Sequence, residues 1–134
     1  MDERDDGLFG LQGRRLLLVE DNAHCASALA RWLEICGARV AIAGTVDAAC
    51  ARLRSERPDL LLVDLHLPDG SGWDVVDAAR ALAPGAPQVP TVAITGSVAE
   101  LGRAAASHGV RHVIGKPIAP AALADALSET LAGT

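Results

Sequence analysis

Five chemically capable side chains stand at the ends of short apolar runs in this sequence. Glu20 and Asp21 close LLLVED, Asp64 closes LLLVD, Thr95 ends VAIT, and Lys116 follows VRHVIG and precedes Pro117. Lys116 is the only lysine, while eleven arginines carry every other basic side-chain charge. An ammonium on a flexible four-carbon stem serves a different geometry from a planar guanidinium fork, so its use at this one place reads as chemical rather than compositional.

Three carboxylates gathered within a few ångströms repel one another by about 4 kcal/mol per close pair at an effective dielectric of about 20. They must protonate, separate or share a cation. Two acids at one strand end facing a third on a neighbouring strand form an open, all-oxygen site. Such a site suits a small hard cation such as Mg2+, which keeps several of its waters. An ammonium and a small hydroxyl beside it complete a set of parts for phosphoryl transfer, where positioning and charge neutralisation dominate. Asp64 would then be the nucleophile that forms an acyl phosphate. Lys116 would pair with one phosphoryl oxygen, Thr95 would donate its hydroxyl to another, and Gly96 would leave room for the group. Taken singly, the residues have plainer roles: the acidic pair can cap a following helix, and Thr95 can be an ordinary β-branched strand residue.

The elements that must position these groups alternate along the chain. Strand-length apolar runs fall at 14–19, 39–43, 59–63, 89–94 and 110–114, and helical periodicity falls at 22–36, 46–56, 71–83, 97–107 and 118–132. The first helix places Cys25, Leu29, Trp32, Leu33 and Cys36 on one face, and the last places Leu123, Leu127 and Leu131 on one face. Runs apolar on both faces, joined by helical crossovers, predict a parallel sheet covered by helices on both sides. In such sheets, groups at the carboxyl ends of neighbouring strands converge at the topological switch point, which would unite Glu20, Asp21, Asp64, Thr95 and Lys116. Gly37 and Gly109 read as helix stops, and Pro84 to Pro87 reads as a surface loop.

At 134 residues the chain holds one folded domain, expected over 13–134, with residues 1–12 an acidic tail or linker. Its apolar runs are too short to span a bilayer, and no stretch near Met1 resembles a secretion signal, so a cytoplasmic location with no membrane partner is expected. The net charge is -5, and Asp2, Glu3, Asp5 and Asp6 crowd the amino terminus. The remaining charges balance, offering no basic stripe for nucleic acid. Phe9, Trp32 and Trp73 are the only aromatics, too few for a base-stacking platform. Cys25, Cys36 and Cys50 have no metal-type spacing and read as small buried hydrophobes.

Together, the acidic pair in LLLVEDN, Asp64 in LLLVDLHLPDGSGWDV with Pro68 and Gly72 downstream, Thr95-Gly96 and Lys116-Pro117 resemble the receiver domain of two-component response regulators. The match covers nearly all of residues 14–132. The resemblance implies a flavodoxin-like (βα)5 doubly wound parallel sheet of order 2-1-3-4-5. It implies Mg2+ held by Glu20, Asp21, Asp64 and the backbone carbonyl of His66, and a cis bond at Lys116-Pro117. Asp64 would take its phosphoryl group from the phosphohistidine of a histidine kinase or phosphotransfer protein. Such a domain is a signalling phosphoacceptor rather than an enzyme, promoting only its own phosphorylation and dephosphorylation. Its output would pass to a downstream protein or an attached domain. The lead-in GLFGLQGRRLLLVEDN is similar to receivers joined to hybrid sensor kinases, and a freestanding regulator fits as well.

One position departs from the family pattern. Three residues before its lysine the family usually carries a tyrosine or phenylalanine that swings inward on phosphorylation, and Val113 stands here. Signalling is therefore expected to rest on Thr95 and the 95–99 loop. The His66 side chain borders the path of attacking water in the family, or else is simply solvated. His24, His108 and His112 suit neither a metal pair nor a phosphotransfer histidine, and Trp73 is expected to anchor the loop after Asp64 onto the third helix. The alternatives are a flavodoxin-like ligand-binding module, a phosphatase, and an unphosphorylated pseudo-receiver that acts only by protein interaction. Against the first two, Glu20-Asp21-Asn22 stands where a phosphate loop would need Gly, Ser or Thr, and His66 stands where a phosphatase would need a second acid.

Overall fold

The computed structural model describes residues 10–82, 88–96 and 102–132, so residues 97–99 and the Pro84 to Pro87 loop lie outside the described residues. Strands and helices alternate: β1 (Arg15–Val19), α1 (Ala23–Ile35), β2 (Arg39–Ala43), α2 (Val46–Ser55), β3 (Leu60–Asp64), α3 (Gly72–Leu82), β4 (Thr91–Thr95), α4 (Gly102–Ser107), β5 (His112–Gly115) and α5 (Pro120–Ala132). The five strands are parallel in the order β2-β1-β3-β4-β5. This is the flavodoxin-like 2-1-3-4-5 order. A short antiparallel pairing of His66–Leu67 with Gly70–Ser71 lies in the loop after β3.

The two-residue period of a strand divides each apolar run between two cores. Leu16, Leu18, Leu60, Leu62, Val92 and Ile94 pack with Leu33 of α1 and Leu123 and Leu127 of α5. Leu17, Val19, Leu61, Val63 and Ala93 pack on the opposite face with Leu53 of α2, Val75 and Val76 of α3 and Ala105 of α4. Each buried leucine or valine contributes about 1.5–3 kcal/mol relative to exposure. A continuous run such as LLLV is thus required by a sheet with helices on both faces.

The buried stripe of α1 differs from the periodicity reading. Ala26, Ala30 and Leu33 face the core and Leu29 and Trp32 pack against it only in part, while Cys25 is exposed. The buried stripe of α1 is thus built largely from small alanines, with Cys25 outside it. Only Cys36 is buried and Cys50 half so. Burial pushes both of these thiols up, away from the reactive thiolate.

Helix stops set the strand boundaries. Gly37 (φ +105°) and Gly109 (φ +76°) take the left-handed conformation that closes α1 and α4. In each, the glycine amide and the next amide bond back to the helix: Gly37 to Glu34 O (2.9 Å) and Ala38 to Leu33 O (3.1 Å), then Gly109 to Ala106 O (3.1 Å) and Val110 to Ala105 O (2.8 Å). Val110 therefore belongs to the cap of α4, and β5 begins at His112 rather than at residue 110. By sequence Leu11 falls in the acidic tail, yet its side chain is fully buried in the α1/α5 core. Arg15 and Arg39 are neighbours in register at the amino ends of β1 and β2, and Arg15 is balanced by Glu56, whose Oε1 lies 3.1 Å from its Nη1. Among the described residues, no helix is long and apolar enough to cross a membrane.

Gly72 carries the closest backbone contact near the site. A Cβ added there would collide with the Asp64 carbonyl oxygen and lie 2.9 Å from Leu65 Cα. Neither atom belongs to a side chain that can move aside. Gly72→Ala should destabilise the domain by about 1–3 kcal/mol, as overpacking does. Chemical denaturation measures this, and an unchanged midpoint would show that the loop gives way freely.

Candidate functional site

Strand register builds the site. β1 and β3 are neighbours with Val19 opposite Val63, so Glu20 and Asp64, each one residue further on, stand side by side. β3 pairs Asp64 with Ile94, placing Thr95 one step beyond, and β4 pairs Thr95 with Gly115, placing Lys116 one step beyond that. The Lys116 amide closes the set by donating to the Thr95 carbonyl at 2.8 Å.

Glu20, Asp64 and Thr95 are 3%, 2% and 0% exposed, while Asp21 faces solvent. Carboxylate oxygens from Glu20, Asp21 and Asp64 lie within 4.8 Å of one another. Lys116 Nζ donates to Glu20 Oε1 at 2.9 Å and to Asp64 Oδ2 at 2.7 Å. Backbone amides serve the remaining oxygens: Asn22 N donates to Glu20 Oε2 at 3.2 Å and His66 N to Asp64 Oδ1 at 2.9 Å. The helix-capping role open to the acidic pair falls instead to Asn22, whose Oδ1 accepts from Cys25 N at 3.0 Å. Glu20 and Asp21 are thus left for the cluster.

The electrostatics follow from burial and this sharing. Burial raises the Glu20 pKa; hydrogen bonds from Lys116 and the Asn22 amide oppose the rise, Asp64 adds to it, and the net shift is upward. Burial acts to lower the Lys116 pKa, but hydrogen bonds and charge from Asp64 and Glu20 outweigh it, and the net shift is also upward. Lys116 is therefore fully charged near neutrality. One ammonium faces three acids, so the cluster retains negative charge and all-oxygen donors, the donor set that suits a hard divalent cation.

The other sequence candidates are placed as follows. The Lys116-Pro117 bond is cis. A Cβ at Gly96 would meet no heavy atom of the described residues within 4 Å. Val113 is half-buried against the α2/α3/α4 core. The side chains of His66 and His24 are exposed. His108 and His112 diverge, His108 Nδ1 lying 2.7 Å from Asp77 Oδ1 and His112 Nε2 lying 3.5 Å from Glu129 Oε2. Trp73 is partly buried against the α2/α3/α4 core. Its ring stacks on His108 with centroids 4.6 Å apart and planes 9° from parallel, tying the first turn of α3 to the end of α4. Asp69 was not a sequence candidate; its place in Pro68-Asp69-Gly70 signals a turn but not the distant helix it reaches.

Comparison with protein families matches residues 16–128 to the response regulator receiver domain. A curated relative, response regulator receiver protein Anae109_2439 of Anaeromyxobacter sp. (strain Fw109-5), is 38% identical over 107 residues, covering 79% of this chain. The chain spans only 44% of that relative's length. Among solved structures, a CheY-like response regulator receiver domain protein from Methanospirillum hungatei JF-1 superposes with a TM-score of 0.81 at 28% identity, covering 91% of this chain and 96% of that one. The receiver domain of sensor histidine kinase PA1611 from Pseudomonas aeruginosa PAO1, solved with a magnesium ion coordinated in its active site cleft, superposes with a TM-score of 0.78 at 26% identity, covering 90% and 98%. With the same sheet order and a match over most of its length, this chain belongs to the response regulator receiver domain family.

Proposed function

We propose that this receiver accepts a phosphoryl group onto Asp64 from the phosphohistidine of a histidine kinase or phosphotransfer protein, with Mg2+ held by Glu20, Asp21, Asp64 and the His66 backbone carbonyl. The observation that carries this is Lys116 Nζ bridging Glu20 and Asp64 while a third carboxylate, Asp21, lies within 4.8 Å and faces solvent. The magnesium reported for the PA1611 receiver supports the same cation here. When bound, Mg2+ would neutralise charge on the incoming group and on the acids.

The chain's own residues supply the rest. An Asp64 oxygen forms the new O–P bond as the donor's N–P bond breaks, and the imidazole leaves with the electron pair and takes up a proton. Lys116, held in its charged form by two carboxylates, donates to a phosphoryl oxygen. Thr95 must turn outward to donate its hydroxyl, because its side chain is fully buried. In dephosphorylation water attacks phosphorus, the O–P bond to Asp64 breaks, and inorganic phosphate leaves. Since a half-buried valine fills position 113, the movement of Thr95 carries the signal. The output passes to a downstream protein or an attached domain. A cytoplasmic setting, without nucleic acid or membrane contact, belongs to the same reading.

Beryllofluoride with Mg2+ should perturb the amide spectrum at Asp64 and Thr95, and an unchanged spectrum there would sink the phosphoacceptor reading. Asp64→Asn should abolish labelling by a low-molecular-weight phosphodonor; retained labelling would place the nucleophile elsewhere. Glu20 yields a prediction of opposite signs with and without metal. Because its folded-state pKa is raised, the folded domain holds the proton more tightly than the unfolded chain, and that stabilisation is lost as pH rises through the raised value. Glu20→Gln should therefore raise the melting temperature of the metal-free domain at neutral pH. It should also remove most of the stabilisation that Mg2+ gives the wild type, about 2.7 kcal/mol at a hundred times its Kd. A variant that keeps the full Mg2+ response would remove Glu20 from the metal site.

A further inference from the structure

The carboxylate of Asp69 spans two loops beside the acidic cluster. Its Oδ1 accepts the Val46 amide at 2.7 Å and its Oδ2 accepts the Asp47 amide at 3.1 Å. These are the first amides of α2, which have no intrahelical partner, and Thr45 Oγ1 takes the next, from Ala48, at 3.0 Å. The Val46 bond, reinforced by that to Asp47, holds the Asp69 carboxyl below the usual carboxylate range.

Both joined loops border the cluster. On one side, the turn before α2 lies against the acidic pair: Glu20 N donates to Ala43 O at 3.0 Å, and a Cβ at Gly44 would stand 3.9 Å from both Asp21 Cα and Glu20 O. On the other, Asp69 sits at the tip of the loop whose His66–Leu67 and Gly70–Ser71 segments pair antiparallel. That loop also sends the His66 amide to Asp64 Oδ1. The Asp69 bonds link the two walls through a side chain and bridge 22 and 23 residues of sequence.

Granted the Mg2+ site proposed above, we infer that Asp69 is its positioning residue: by tying the His66-bearing loop to the β2–α2 turn, it sets the separation between Asp21 on one wall and Asp64 and His66 on the other. Thr45 supplies the control, because its hydroxyl caps the same helix turn by accepting the Ala48 amide of α2 itself.

The test compares Asp69→Ala, Asp69→Asn and Thr45→Ala by Mg2+ titration and by hydrogen exchange of the His66 amide in metal-free protein. Asp69→Ala should weaken Mg2+ about tenfold, at the lower end of the effect of losing an outer hydrogen-bond partner of a metal site, and should speed His66 exchange. Asp69→Asn, which keeps an oxygen for the Val46 amide, should recover most of the affinity. Thr45→Ala should lose thermal stability as Asp69→Ala does, yet keep wild-type Mg2+ affinity and His66 exchange. The inference is overturned if Thr45→Ala weakens Mg2+ as much as Asp69→Ala, or if Asp69→Ala matches wild type in affinity or in His66 exchange. A wild-type chain that binds no Mg2+ would refute the site itself, and this inference with it.

Discussion

Two nearly buried carboxylates sharing one ammonium are the constraint around which this domain is arranged. Glu20 and Asp64 are adjacent because β1 and β3 are adjacent in register, and Lys116 reaches both from the far side of β4. Burying charge is unfavourable unless it is paired and hydrogen-bonded. Here each carboxylate has the ammonium on one oxygen and a backbone amide on the other. Asp21, exposed at the same strand end, adds a third negative charge that the single ammonium does not balance. The fold thus holds unneutralised charge at its surface, and folding stability elsewhere must offset it.

The offset comes from the two apolar cores. Alternate residues of each central strand enter opposite helical layers, so nearly every side chain of β1, β3 and β4 is withdrawn from water. The carboxyl ends of these strands are correspondingly well held. The loops beyond them are fastened by discrete polar contacts instead: Asn22 caps α1, Thr45 and Asp69 cap α2, and Gly72 lets α3 begin against the backbone of Asp64. Well-held strand ends place the clustered charged groups, and loops tied by a few replaceable bonds border them.

On β5, one strand over from Thr95, Val113 is half-buried against the α2/α3/α4 core. The described aromatic contact joins Trp73 and His108 across α3 and α4, with Asp77 holding the imidazole. It lies one residue from Gly72 in one direction and at the end of α4 in the other.

Much was legible in the chain itself. The apolar runs, the alternation of periods and the two glycine stops determined a parallel sheet under two helical layers. The five residues Glu20, Asp21, Asp64, Thr95 and Lys116 announced themselves by type and by standing at run ends, because strand ends are where polar groups can meet without burying unpaired backbone. Only the tertiary structure decided which carboxylate oxygens Lys116 serves, that Asn22 rather than the acidic pair caps α1, that Cys25 faces water and Leu11 does not, and that Asp69 reaches α2. Periodicity reports which way a side chain points along its own element. Hydrogen-bond partners 22 to 96 residues apart depend on strand register and loop path, which exist only once the sheet has formed.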